Sequence, residues 1–341
     1  MQVSHWVMGT NQTCDTDFLD FSGLDDKLLS FKKNMLSGAY SKPNSPLADM
    51  PPVCDSGDCT FPEFVSLGVC VKMANVTDRL RVARLPDKDW NLFGLKDNTT
   101  WVASLPISAL SGDSSLTTPN IGSLAFYTDN IGRSLGFEND DKTAIMSLYF
   151  IYSNPPAHTG RPLSFYAVEV MFHACTKAYF VKVTNTSSVW EERGRTADVR
   201  SNNATSLNFI KNPAFMMCFL DVAKSCDEKL RGQLVLSPPS GYESHTTVRI
   251  DEMSAASISA AMYLSFETNL GFFGTKTRNS GDGGSVMIGK GVYRVDGDVS
   301  MALAANLWGA APEKGKAFDP ERQLRSVTNM FENMAKGFEN T

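Results

Sequence analysis

The residues with the widest chemical range in this sequence are its cysteines: Cys14, Cys54, Cys59, Cys70, Cys175, Cys218 and Cys226. Thiolates ligate zinc, attack as nucleophiles or pair as disulfides, and spacing and compartment decide among these roles. Structural zinc is disfavoured. The Cys54/Cys59 interval is wider than most zinc knuckles, no second close pair completes four ligands, and His5, His158, His173 and His245 all lie away from ligand spacing to a cysteine pair. An odd count leaves at least one thiol free or joined to another chain, and Cys14, in a polar stretch, is the candidate. Asn-x-Ser/Thr acceptors for N-glycosylation stand at Asn11, Asn75, Asn98, Asn185 and Asn203. Cysteines outside zinc spacing, together with these acceptors, point to an oxidising, extracytoplasmic compartment.

Acid and base chemistry has one carboxylate of interest. Glu169 sits within an apolar run, where a charge is costly unless paired. A glycosidase needs a second carboxylate roughly 5 to 10 Å away. Glu191 and Glu192 are the nearest candidates in the sequence. His173, alternating along the same run, reads as a sheet residue more than a base. Gly281 to Gly291 resembles a phosphate loop, but Gly291 follows Lys290 where a Walker loop needs Ser or Thr, so a surface hairpin is expected. Asp87, Asp89 and Asn91 open like a calcium loop, yet Leu92 replaces the turning glycine and Asn98 the closing glutamate, which excludes an EF-hand. Nucleophile elbow, zinc-protease histidine pair and dinucleotide fingerprint are all lacking, and neither a cofactor nor a metal is implied.

The elements that must position these groups are legible from composition and period. With 341 residues, 42% hydrophobic and 20% charged, the chain supports one large domain or two modest ones. A net charge of -5 offers no footprint for nucleic acid. The longest weakly polar segment, Ala255 to Leu264, is too short and too serine-rich for a membrane span. Met1 to Gly9 lacks the pattern of a secretory signal, so an export address is expected outside this chain. Residues 1–52 read as an extended arm ending in a Pro-rich run, and Cys54 to Cys59 as a turn. β-branched and aromatic runs predict strands over Trp101–Leu110, Ser123–Thr128, Ile145–Tyr152, Leu234–Leu236 and Thr246–Ile250. The run Leu163–Val183 exceeds ordinary strand length and predicts two strands turning near Cys175-Thr176-Lys177. Thr184 to Ser206 reads as a polar loop. Three- and four-residue spacing predicts helices at Ala255–Leu270, at Asp298–Gly309 and, with Asp319 as N-cap, through Leu324, Val327, Phe331, Met334 and Phe338. That last stripe reads as core-packing.

The stretch Cys54-Asp55-Ser56-Gly57-Asp58-Cys59-Thr60-Phe61-Pro62-Glu63-Phe64-Val65-Ser66-Leu67-Gly68-Val69-Cys70 resembles the signature of a family of fungal membrane proteins, Domain of Unknown Function 3176. The resemblance implies transmembrane helices upstream, a large extracytoplasmic region that this chain would largely cover, and a membrane span beyond Thr341. Two family cysteines are replaced: one three residues after Cys70, where Met73 stands, and one in a Glu-Cys pattern that appears here as Glu169-Val170. The resemblance therefore implies that Met73 and Val170 meet in an apolar contact where relatives hold a disulfide. It leaves Cys70 for Cys175, and Cys54 with Cys59 and Cys218 with Cys226 as local pairs. No activity comes with the family.

The expected fold is α+β: a largely antiparallel sheet covered by C-terminal helices and stapled by disulfides, with 53–341 as one extracytoplasmic domain behind the arm. The expected function is a cell-surface binding or sensing module at a fungal membrane, the plasma membrane first. Its expected partners are cell-wall glycan or another surface protein. A glycan-active enzyme using Glu169, or an assembly module of a membrane complex, are the alternatives.

Overall fold

A computed structural model describes residues 33–41, 52–84, 90–95, 101–106, 124–128, 136–137, 142–154, 164–185, 187–207, 232–243, 247–252, 319–339 and scattered helical positions between 254 and 307. Among the described residues twelve strands run in chain order: β1 (Cys59–Thr60), β2 (Phe64–Asn75), β3 (Leu80–Arg84), β4 (Trp90–Leu95), β5 (Trp101–Pro106), β6 (Leu124–Thr128), β7 (Ala144–Asn154), β8 (Ser164–Thr184), β9 (Ser187–Thr196), β10 (Val199–Asn202), β11 (Gln233–Leu236) and β12 (Val248–Asp251). A short helix, α1 (33–39), precedes them and a long one, α2 (Pro320–Glu339), follows. The expected α+β class, antiparallel pairing and disulfide stapling are all present.

β8 organises the molecule. Its 21 residues form one strand, where two strands with a turn near Cys175-Thr176-Lys177 were expected. The reason lies in its neighbours. On one side β2 pairs without interruption through Val69↔Ala174, Gly68↔Cys175 and Leu67↔Thr176, which holds the backbone extended across the polar triplet. On the other side β7 ends at Ala144↔His173 and β9 begins at Thr176↔Thr196. The polar triplet marks a change of partner instead of a turn. A strand paired on both edges and covered on both faces has apolar residues at both parities, hence the unbroken run.

The polar segment after β8 is the second correction. Thr184 to Ser206 contains β9 and β10, the first turning back from β8 across Asn185, whose φ is 50°. β9 is an edge strand, and its charged residues Glu191, Glu192, Arg193 and Arg195 suit an edge that must not pair with another chain. Composition alone therefore reads as loop.

One face of the sheet carries the core. Leu148, Phe150 and Tyr152 of β7, Val168, Val170 and Phe172 of β8, and Val69 of β2 pack with Val327, Met330, Phe331 and Met334 of α2. Phe331 stacks on Phe150 at 6.2 Å and meets Phe172 edge-on at 5.9 Å. Burying one such ring contributes about 1.5–3 kcal/mol. Asp319 caps α2 as expected, its Oδ1 accepting from the N–H groups of Glu321 and Arg322 at 3.0 and 3.3 Å. The stripe is core-packing at Val327, Phe331 and Met334, all below 1% exposed. On the same face, burial, reinforced by the neighbouring Tyr166, pushes the Tyr152 phenol up to about 12.

Helical positions also occur at Ala255, Ile258 and Met262, and at Ala302, Leu303 and Leu307, each buried as the three- and four-residue spacing requires. Asp251 caps the first of these segments, accepting from the Ser254 N–H at 2.7 Å and its Oγ–H at 2.8 Å. Within the stretch read as an extended arm, residues 33–39 are helical instead, and Met35 and Ala39 belong to the core. A buried methionine supplies the apolar contact that a solvated arm lacks.

Candidate functional site on the second face of the central sheet

The opposite face of the same sheet gathers most of the residues with chemical potential. Along β8, Glu169, Met171, His173, Cys175 and Lys177 share the parity opposite to the core residues, and all are buried. Across β2 stand Ala74, Lys72, Cys70, Gly68 and Ser66, paired in that order with these five. On β7, Tyr149 pairs with Glu169 and Ser147 with Met171.

Glu169 is fully buried, and its Oε2 accepts from the backbone N–H of Gly136 at 2.7 Å. Gly136 is glycine for a steric reason: a Cβ there would lie 2.5 Å from the Ala74 Cβ and 3.3 Å from the carboxylate oxygen itself. The amide holds the buried carboxylate in place. His173, 4% exposed, has Nδ1 3.3 Å from the carbonyl of Ala174. Lys177, 7% exposed, donates from Nζ to the Val69 carbonyl at 3.5 Å. Each group is tied to a backbone group, of its own strand for His173 and of another segment for Glu169 and Lys177.

Strand geometry keeps them apart. Four residues along a strand span about 13 Å, so Glu169, His173 and Lys177 are too widely spaced to exchange a proton directly. Glu192 and Glu191 pair with Tyr179 and Phe180, about 33 Å along β8 from Glu169, far beyond the separation of a glycosidase pair. These two glutamates instead bind Arg195 at 2.5 Å and Arg193 at 2.8 Å on the exposed edge. Among the described residues, no group of three His, Cys, Asp or Glu side chains is placed to hold a metal ion.

Among the described residues one disulfide lies on this face and another lies near the end of β8. Cys70–Cys175 joins β2 to β8 diagonally, since Cys70 pairs in register with His173 and Cys175 with Gly68. Cys54–Cys59 closes the turn before β1. That turn is docked as well as closed: β1 pairs with the end of β8, and Asp58 Oδ1 accepts from the N–H of Asn185 at 3.0 Å. Disulfides at these positions belong to an oxidising environment. Comparison with protein-family models, with curated proteins and with solved structures finds no match to the chain.

Both bridges are the pairs that the family resemblance implies. Met73 and Val170 are directly paired across β2 and β8, with Val170 fully buried and Met73 packed against the core. Of the glycosylation acceptors, Asn75, Asn185 and Asn203 are exposed. Asn75 lies at the end of β2, Asn185 at the β8–β9 turn and Asn203 after β10. Asn91 lies in β4, paired with Arg84 and Leu105, which is not a calcium loop. Asn11, Asn98, Cys14, Cys218, Cys226, Asp87, Asp89, His5, His158, His245 and the Gly281–Gly291 segment fall outside the described residues.

One buried carboxylate went unnoticed in the sequence. Glu252, 2% exposed, accepts at Oε1 from the N–H groups of Thr205 and Ser206 at 2.6 and 3.2 Å, and at Oε2 from Gly232 at 3.1 Å. The available signal was its position, an acid straight after a strand and at the start of a helical segment, where free amides collect.

Proposed function

We propose that this chain is the extracytoplasmic region of a fungal membrane protein of the Domain of Unknown Function 3176 family, acting as a cell-surface binding or sensing module. The observation that carries the family is the cross-strand pair Met73 and Val170 beside Cys70–Cys175. Those are the two positions where the family pattern has cysteines, and a random resemblance has no reason to place them opposite each other. Binding is favoured over catalysis because the titratable groups of the second face are dispersed along one strand and held by backbone. Recognition then falls to exposed, preorganised surface. The β8–β9 arm supplies it: Arg193 lies over the Phe180 ring at 5.2 Å, and Val189, on the same strand as Arg193 and paired with Lys182, is 62% exposed. Cell-wall glycan or another surface protein is the partner class.

The deciding experiment is intact mass of the chain secreted from a eukaryotic host, before and after glycan removal, with peptide mapping under non-reducing conditions. Occupied acceptors with Cys54–Cys59 and Cys70–Cys175 bridged are expected. Free thiols with bare acceptors would overturn the compartment and the reading together.

A second test addresses the family directly. In-register strand partners have Cα atoms about 4.5–5.5 Å apart, within disulfide range. The double variant Met73→Cys, Val170→Cys is expected to form a third bridge, read as a loss of two hydrogens in the non-reduced mass. The added stability is expected to be about 2 kcal/mol or less, because Cys70–Cys175 already closes all but a small ring. Two persistent free thiols after oxidative refolding would count against it.

A further inference from the structure

The two bridges among the described residues differ in what governs thiol exchange. Cys70 and Cys175 are 4% and 1% exposed in the middle of the sheet. Cys54 and Cys59 are both partly exposed, in a turn whose Asp55, Ser56 and Asp58 are open to solvent. An attacking thiolate must reach a sulfur, so access favours the short bridge. Reclosure favours opening there as well. Continuous pairing of β2 with β8 keeps Cys70 and Cys175 close together after reduction, whereas Cys54 precedes β1 and lies in no strand. Ser56 Oγ stands 3.7 Å from the Cys54 Sγ and 3.5 Å from the Cys59 Sγ, while donating to the Asp58 carbonyl at 2.8 Å. Turned toward a sulfur, that hydroxyl stabilises the departing thiolate, and a better leaving thiolate speeds exchange.

The same turn is tied to the end of the β8–β9 arm. β1 pairs Cys59 with Val183 and Thr60 with Lys182, the Phe61 N–H donates to the Val181 carbonyl at 3.0 Å, and Asp58 accepts from Asn185. β2 begins its own pairing at Tyr179, so β1 and the turn take over this edge of β8 beyond it. The opposite edge there carries β9, with Lys182 paired to Val189. A strand of two residues brings little pairing of its own, so its place depends on the closed turn behind it.

We propose that Cys54–Cys59 is an exchange site for a dithiol, and that its opening undocks the turn from the β8–β9 arm while Cys70–Cys175 stays closed. One thiolate of the dithiol attacks a sulfur of the bridge, forming a mixed disulfide and releasing the other cysteine as thiolate. The second thiol displaces the mixed disulfide, so the dithiol leaves as its own disulfide and Cys54 and Cys59 take up the two electrons and two protons. Exchange thereby loosens the arm proposed to bind cell-wall glycan or a surface protein, and in that respect rests on the binding reading.

Graded dithiothreitol applied to the full oxidised chain, with alkylation and peptide mapping, tests the site. Cys54 and Cys59 are expected to be reduced at least about a hundredfold faster than Cys70 and Cys175, because reaching the buried pair requires the sheet to open. Hydrogen exchange reads the consequence in two samples, the selectively reduced parent and Cys54→Ser with Cys59→Ser. In both, the amides of Phe61 and Asn185 should exchange at least about tenfold faster than in the oxidised parent, with 168–175 of β8 unchanged. Equal reduction rates, or earlier reduction of the buried pair, would overturn the exchange site. Unchanged Phe61 and Asn185 amides, or loss of protection throughout β8, would overturn the undocking. Bare glycosylation acceptors on the secreted chain would sink the compartment while leaving the order of reduction intact, so the two readings fail separately.

Discussion

Removing both cysteines of the central bridge, as Cys70→Ala with Cys175→Ala, is expected to lower stability by about 4–5 kcal/mol. The two residues are 105 apart in sequence, so the bridge closes a long loop of the unfolded chain, and the cost of leaving that loop open scales with its length. By the same reasoning Cys54–Cys59, with a separation of 5, contributes about 2 kcal/mol. Denaturant unfolding of the two double variants beside the parent measures both, and the ratio is the informative quantity. Loss of both cysteines together avoids stranding a thiol in the buried face. A loss below about 1 kcal/mol for the long bridge would mean that β2 and β8 are already associated in the unfolded chain. The comparison also separates roles: the long bridge locks β2 to the central strand β8, whereas the short one shapes an exposed turn that Asp58 docks onto Asn185.

What was legible in advance followed the strength of local signals. The C-terminal helix was clear because Asp319 and the 3.6-residue stripe agree, and the structure places its cap and core residues as that agreement requires. The strands β5, β6, β7, β11 and β12 were visible for a similar reason, through runs of β-branched and aromatic residues. β9 was not, because an edge strand protected by Glu191, Glu192, Arg193 and Arg195 has the composition of a loop. The continuity of β8 through Thr176 and Lys177 was hidden too, since it is decided by pairing with β2, about 100 residues away in sequence. The helix 33–39 was hidden in a stretch read as an extended arm, and the close approach of Gly38 to the Asn333 carbonyl of the distant α2 has no local signature.

The site follows the same division. Sequence singled out Glu169 as a costly carboxylate in an apolar run and read His173 as a sheet residue, and both are buried on one face. Their spacing of four residues then argues against concerted chemistry, because a strand, unlike a helix, carries i and i+4 far apart. Periodicity thus located the face, and strand geometry limits what the face does. Its partners, Gly136 for Glu169 and Val69 for Lys177, come from distant segments and have no local signature.

Glu252 makes the sharpest single-residue prediction. Its carboxylate accepts three backbone N–H groups from two separate segments, Thr205 and Ser206 on one side and Gly232 on the other. Glu252→Ala strands these donors in a site where the native side chain is 2% exposed, and a buried unsatisfied donor costs about 1–3 kcal/mol. The expected loss is about 4 kcal/mol, since water entering the vacated space recovers part of the sum. Glu252→Gln keeps one acceptor oxygen but turns an NH2 group toward a donor, so about half of that loss is expected. Gly232→Ala should be comparably harmful from the opposite direction, because its Cβ would fall 2.4 Å from the Ala204 Cα and 2.5 Å from Glu252 Oε2. An exposed control, Glu321→Gln on α2, should change stability by less than about 0.5 kcal/mol. Denaturant midpoints ranking alanine below glutamine below parent would establish the carboxylate as the tie between residues 203–207 and β11. A glutamine variant as stable as the parent would show that neither the charge nor the second oxygen matters there.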